Sequence, residues 1–248
     1  MKAIERKRYI LDELQRNGSV VITDLAERIQ VSSMTIRRDL NALDKAGRLT
    51  KVFGGAVSSD GTFTGTEPSV AQKMELQQEE KRRIAQFAAG LIQPDDFVYL
   101  DAGTTTGYIL DYLPARSATF VTNAVSHAKR LAAAGNRVIL IGGELKGTTE
   151  AVIGSQAILT IQGYHFTKGF FGTNGVSKRH GFTTPDPNEA LVKQEAMRQT
   201  ERCYVLADSQ KFGMVSSVTF GVFEEATILT ETEPPEGFSG SKNIRVAK

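Results

Sequence analysis

Between Val31 and Gly47 the chain reads V-S-S-M-T-I-R-R-D-L-N-A-L-D-K-A-G. Ile36, Leu40 and Leu43 stand at i, i+4 and i+7, one apolar stripe for a small core. Ser32 or Ser33 can cap such a helix, and Gly47 can end it in a left-handed turn. Off the stripe lie Ser33, Thr35, Arg37, Arg38, Asn41 and Lys45. Hydroxyls, an amide and guanidiniums are the groups that bond phosphates and base edges, and arginine matches guanine bidentately. The plain alternative is a surface helix with a solvated polar face.

A second group of residues reads as a ligand pocket. Asp101-Ala102-Gly103-Thr104-Thr105-Thr106 lies between an expected strand and an expected helix. Glycine admits close backbone approach, the hydroxyls donate, and free N–H groups at a helix start favour an anion. A threonine-capped βα turn explains the same residues without a ligand, and no phosphate-loop lysine accompanies them. Thr122-Asn123, Gly142-Gly143 and Gly172-Thr173-Asn174-Gly175 end further expected strands with similar small polar residues. Four such turns along one sheet edge would outline a pocket for a small oxygen-rich ligand. Glu189 and Lys193 share a helical face, either as pocket residues or as an exposed ion pair. Asp208 and Lys211 follow another strand, where the carboxylate suits sugar hydroxyls and the ammonium suits phosphate.

Composition bounds these readings. The 248 residues suffice for one large or two modest domains. Residues 1–57 hold 11 Lys and Arg against 7 Asp and Glu, and the remainder 19 against 21, so a basic head precedes a slightly acidic body. No apolar run approaches the roughly 18 residues of a membrane span, and the N-terminus lacks a signal-peptide centre. One cysteine, Cys203 in an apolar run, allows no intrachain disulfide or cysteine-based zinc site and fits a reducing cytoplasm. No metal and no cofactor is expected.

The elements that must position these residues follow from periodicity. In the head, Ile4, Leu11 and Leu14 keep helical spacing with Ile10 beside them, and Asn17-Gly18 ends that helix. Val20–Ile22 is extended, Thr23 is expected to cap a second helix, and Gln30-Val31 leaves room only for a tight turn before the third. Helix, tight turn and helix is helix-turn-helix grammar. Two short strands around Gly54-Gly55 make a wing whose Arg48 and Lys51 can reach phosphates. Ser58–Ser69 is small, polar and aperiodic, an expected linker. Beyond it, helices near 79–91, 105–113, 125–134 and 188–199 alternate with strands at 97–100, 119–122, 138–141, 168–172, 204–206, 227–229 and 244–246. Alternation with apolar strands implies a largely parallel sheet covered by helices.

The run from I-T-D-L-A-E-R-I-Q-V through S-S-M-T-I-R-R-D-L to R-L-T-K-V-F-G-G-A resembles the N-terminal winged helix of the DeoR family of bacterial repressors. The resemblance implies that Ser33, Thr35, Arg37 and Arg38 face DNA and that Gly54-Gly55 is the wing turn. Roughly residues 75–230 resemble the DeoR-type sensor domain, similar in fold to ribose-5-phosphate isomerase, which binds sugar phosphates as inducers. On that resemblance Asp101 and Thr104–Thr106 belong to the phosphate region. Gly142, Gly143, Asn174, Glu189, Lys193, Asp208 and Lys211 line the rest, and Lys73 and Lys81 match basic positions tied to inducer response. The stretch His180–Met197 looks most like the fructose-regulon branch, which makes fructose 1-phosphate an expected effector. Where the isomerases carry an Asp-rich segment this chain has Gly172-Thr173-Asn174-Gly175. Glu189 is left as a lone base, and His127, His165 and His180 are scattered.

The expected protein is therefore α/β. A winged helix-turn-helix over 1–57 and a linker over 58–75 lead into a Rossmann-like sensor and oligomerisation domain over 76–248. The expected function is a cytoplasmic, homo-oligomeric (dimer or tetramer) repressor that leaves operator double-stranded DNA when a phosphorylated sugar binds. The alternative is an isomerase-like enzyme carrying a DNA-binding head.

Overall fold

The computed structural model describes residues 3–17, 19–46, 48–52, 55–58, 62–64, 73–74, 76–115 and 118–247. At the head, helices α1 (Ala3–Asn17), α2 (Ile22–Ile29) and α3 (Ser33–Lys45) pack around Ile10, Leu14, Leu25, Ile36, Leu40 and Leu43. Strand β1 (Ser19–Val21) joins the wing strands β2 (Leu49–Val52) and β3 (Gly55–Ser58) in an antiparallel sheet ordered β1-β3-β2. Two local expectations change. Helix α2 begins two residues early, at Ile22, so Thr23 is not its cap; its hydroxyl bonds the neighbouring Asp24 Oδ1 at 3.2 Å. Ile4 keeps the helical spacing but is 84% exposed, because α1 reaches the core only from its later turns. The expected stops at Gly18 and Gly47, and Gly54 of the wing turn, lie outside the described residues.

Only part of the expected linker is described, and three of its residues form a strand. Thr62–Thr64 forms β4, which pairs in parallel with a later strand at Met214–Ser216. Three residues are too few for a period to be read from sequence.

The body is built on β5 (Phe97–Leu100), β6 (Thr119–Thr122) and β7 (Arg137–Leu140). It continues through the short hairpin β8 (Glu144–Lys146) and β9 (Ala151–Ile153) to β10 (Phe166–Gly172). Then come β11 (Gly175–Ser177), β12 (Gly181–Thr184), β13 (Thr200–Leu206), β14 (Met214–Ser216), β15 (Val218–Gly221), β16 (Thr227–Thr230) and β17 (Ile244–Val246). Seven of these make one sheet, ordered β17-β16-β13-β10-β5-β6-β7, with every neighbouring pair parallel. Along each strand alternate residues serve opposite faces. Tyr99, Val121, Phe171 and Val205 enter one core, and Val98, Leu100, Phe120, Phe170 and Tyr204 enter the other. Helices α4 (Gln78–Ala89), α5 (Thr104–Ile109) and α6 (Val125–Ala133) cover the second core, through Ile84, Ala88, Ile109 and Leu131. Helices α7 (Ser155–Gln162) and α8 (Pro187–Arg198) cover the first, through Ile161, Val192 and Ala196.

The strand order fixes where a ligand can sit. From β5 the chain moves outward through β6 and β7, then returns to the other side of β5 with β10. The carboxyl ends of β5 and β10 thus diverge at a switch point, the place where open parallel sheets form their crevice. A small antiparallel sheet, β11-β12-β15, lies next in the chain after β10 and leads into α8. The sequence reading missed this sheet, α7 and the β8–β9 hairpin, whose elements are short and lack a clear period.

Gly181, which opens β12, has φ +66°, and a Cβ there would lie 2.0 Å from the Gly221 carbonyl oxygen. Gly181→Ala should therefore lower stability by more than about 1 kcal/mol, read from denaturant unfolding; an unchanged midpoint would refute this packing.

Candidate functional site

On α3, Ser32 is the N-cap: its Oγ accepts the Thr35 N–H at 3.2 Å. Ile36 and Leu40 are fully buried, and the buried Asp39 is paired with Arg6 of α1, which fixes how the helix sits on its neighbour. Ser33, Arg37, Arg38 and Asn41 remain exposed and Thr35 half-buried, so the polar face is turned outward. The wing is tied to this face. The Lys51 N–H donates to Asp44 Oδ1 at 3.0 Å, and the Lys51 ammonium donates to the Asn41 side-chain oxygen. Arg48 is exposed at the start of the wing. Met34, 73% exposed on the same helix, was passed over in the sequence reading because it fits neither the apolar stripe nor the polar set.

At the switch point a pocket is lined by Lys73, Lys81, Gly103, Thr104, Thr105, Asn174, Glu189, Lys193 and Lys211, joined by Ala102, Thr149, Gly172 and Thr173. Behind its floor lies an ion pair that Asp101, expected to line the pocket, makes from beneath the lining. Asp101, at the end of β5 and 1% exposed, accepts from the Lys193 ammonium and from the Gly172 N–H at 2.9 Å. Lys193 also donates to the Gly172 carbonyl at 3.2 Å. Lys193 is thus bound across the strand ends and not to Glu189, as an i,i+4 pair would require. Glu189 instead accepts from Lys146 at 3.0 Å and from Thr149 at 2.5 Å, both from the β8–β9 hairpin. A larger open groove of about 670 Å³ lies at the opposite, amino-terminal edge of the sheet, past Lys168, Glu201, Arg202 and Arg245. Parallel sheets do not form their crevice there.

Residues 6–62 match the DeoR-like helix-turn-helix domain and residues 76–232 match the DeoR C terminal sensor domain. The chain belongs to the DeoR family. Its relatives include an "uncharacterized HTH-type transcriptional regulator FruR" of Bacillus subtilis (strain 168), 40% identical over 98% of this chain and 97% of that one. A putative aga operon transcriptional repressor of Escherichia coli O157:H7 is 36% identical over 86% and 80%. The lactose phosphotransferase system repressor of Streptococcus mutans is 33% identical over 92% of each. Among solved structures, ribose 5-phosphate isomerase A of Neisseria gonorrhoeae gives a TM-score of 0.42 at 15% identity, over 57% of this chain and 56% of that one. The relatives carry the names of regulators, and this DeoR-family chain is read as a transcription regulator, not an enzyme.

Several expected pocket residues of the DeoR-family body stand behind the wall or off it. Thr106 is fully buried, and its hydroxyl donates to the Asp101 and Gly103 carbonyls at 2.7 and 2.9 Å. Asn123 accepts the Ala102 N–H at 2.8 Å and donates to the Val152 carbonyl at 3.3 Å, bracing the loop that carries Gly103. Gly175 is a packing position: a Cβ would lie 2.3 Å from the Met214 carbonyl oxygen. Gly142 and Gly143 do not line the pocket; they are exposed, and Gly143 passes close to the Ile153 carbonyl at φ +151°. Thr149 and Lys146 were missed, because no local pattern tells that a hairpin tip folds onto a helix forty residues later.

Burial raises the carboxyl pKa of Asp101 against the pull of Lys193, and that of Asp208, behind the pocket, against the pull of Lys211 and Lys81. Burial likewise lowers Lys81 to about 8, opposed by Asp208. His127 is pushed down to about 4 by burial and then Arg130, and burial pushes the Cys203 thiol up to about 12, so both are neutral near pH 7. Only as the ammonium can Lys81 attract an anion, and it loses that proton as pH rises through about 8. Affinity for inorganic phosphate, followed by calorimetry from about pH 7 to about pH 9.5, should therefore fall across this range with proton uptake on binding. Lys81→Met should flatten the fall; a slope unchanged in the variant would remove Lys81 from the anion site.

Proposed function

We propose that this DeoR-family regulator represses a sugar-catabolism operon and leaves its operator when a phosphorylated sugar fills the switch-point pocket. One observation carries the reading: lysines 73, 81, 193 and 211 line one pocket together with Thr104 and Thr105, and Asn174 and Glu189 line it too. Cations with hydroxyl donors suit a phosphate, and an amide with a carboxylate suits the hydroxyls of a sugar. The names of the aga operon and lactose phosphotransferase repressors, for proteins similar over most of their length, support a sugar as the signal. Fructose 1-phosphate is the first candidate, on the resemblance of His180–Met197 to the fructose-regulon branch.

In this reading residues 1–57 form the reader, 58–75 the connection and 76–248 the cytoplasmic sensor that oligomerises. A dimer sets two α3 helices about 34 Å apart, one DNA turn. A ligand releases DNA only by favouring a different arrangement of the heads, and operator DNA must then weaken ligand binding by the same factor.

The test is anisotropy of the full-length protein on a labelled fragment from upstream of its own gene, with sugar phosphates titrated in. Arg38→Ala should weaken DNA binding by about 1–3 kcal/mol; undiminished affinity would displace α3 as the reader. Thr105→Val should bind the fragment but fail to release it with the sugar phosphate that releases the parent protein. Release at the parental concentration would take Thr105 out of the effector site.

A further inference from the structure

The pocket is less basic than its lysines suggest. Lys193 is answered by Asp101, and Lys81 and Lys211 both sit beside Asp208. Near Glu189 the balance is acid. Lys146 lies 3.0 Å from Glu189 Oε1 and 3.0 Å from Asp186 Oδ2, so two carboxylates in the first turn of α8 share one ammonium. Asp186 is the N-cap of that helix, with its Oδ1 accepting the N–H groups of Asn188 and Glu189 at 2.8 and 3.0 Å.

Glu189 is the one acid among the described residues that line the pocket, and it is only 7% exposed. Both side-chain bonds it accepts, from Lys146 and from Thr149, fall on Oε1. Oε2 accepts none among the described residues. The two donors come from the β8–β9 turn, which closes through Glu150 in the left-handed region at φ +53°. That turn therefore fixes the carboxylate by one oxygen and leaves the other for a ligand. A carboxylate oxygen without a donor, in a nearly buried position, takes hydroxyl protons and disfavours a second anion.

We infer that the pocket takes a sugar monophosphate and turns away the corresponding bisphosphate. Glu189 is the residue that decides, and Lys146 and Thr149 are its positioning residues. The inference rests on the sugar-phosphate reading and narrows it. The phosphate lies among the lysines and the Thr104 and Thr105 hydroxyls, and the uncharged end of the sugar donates to Glu189 Oε2. A second phosphate at that end would meet a carboxylate whose ion-pair partner, Lys146, is already shared with Asp186.

Calorimetry on the full-length protein tests this with inorganic phosphate and with the 1-phosphate, 6-phosphate and 1,6-bisphosphate of fructose and of glucose. The better monophosphate of a sugar should bind at least about ten-fold more tightly than its bisphosphate. Glu189→Gln, with its fold checked by circular dichroism, should narrow that ratio by about ten-fold, mainly through tighter bisphosphate binding. Thr149→Val retains the charge of Glu189 but frees it on one side, and should narrow the ratio less than Glu189→Gln does. Equal or tighter binding of the bisphosphate by the parent protein overturns the inference while leaving the sugar-phosphate reading standing, and needs no variant to fold. An unchanged ratio in a folded Glu189→Gln overturns the role of Glu189. Binding of none of the probes overturns the sugar-phosphate reading and this inference together.

Discussion

Asp101 and Lys193 stand ninety-two residues apart and meet where the sheet reverses its order. Taking two charges out of water carries a penalty that attraction offsets only when the remaining donors and acceptors are also met. Here two further bonds support the pair: the Gly172 N–H donates to the same Asp101 oxygen as the ammonium, and the ammonium also donates to the Gly172 carbonyl. One pair thus ties the end of β5, the end of β10 and the middle of α8. Asn123 then holds the Ala102 N–H from β6's side, so the loop bearing Gly103, Thr104 and Thr105 has little freedom left. The floor of the pocket is set before any ligand arrives.

The walls are built differently. Lys81 belongs to α4 and donates to the carbonyl of Lys73, outside the sheet. Lys211 lies in a 3-10 turn after β13, and β14, which begins three residues later, pairs with β4 in the segment between head and body. A ligand touching only the floor would bind every arrangement of the protein equally and shift nothing, however tightly it bound. Differential affinity has to come from groups that can differ between arrangements. In the proposed reading those groups are the walls, which adjoin the segment between head and body.

How much of this can be read from sequence depends on the range of the physics involved. The reading helix is legible because its evidence is local: a 3.6-residue apolar stripe, a capping serine and a polar face all lie within seventeen residues. Strands β5, β6, β10 and β13 are legible for the same reason, as short apolar runs between turn residues. The pairing of Lys193 is not, since periodicity matches it to Glu189 four residues away while its acceptor is Asp101. Gly142 and Gly143 resemble a ligand turn as much as the glycine of Gly103 does. Only the position of the β8–β9 hairpin separates them.

Thr104, Thr105 and Thr106 show the limit most sharply, because three identical side chains follow one another and meet different fates. In a helix each is turned about 100° from the last, so they cannot all face one ligand. Thr106 stands three residues after Gly103 and five after Asp101, and its hydroxyl bonds both carbonyls. That bond closes the turn from β5 into α5 and gives the Asp101 carbonyl a donor, while the Gly103 carbonyl also accepts the Gly107 N–H at 3.0 Å. Thr104 and Thr105 are left facing the pocket. The same side chain is a structural brace at Thr106 and lines the pocket at Thr104 and Thr105, and the deciding factor is the backbone acceptor within reach.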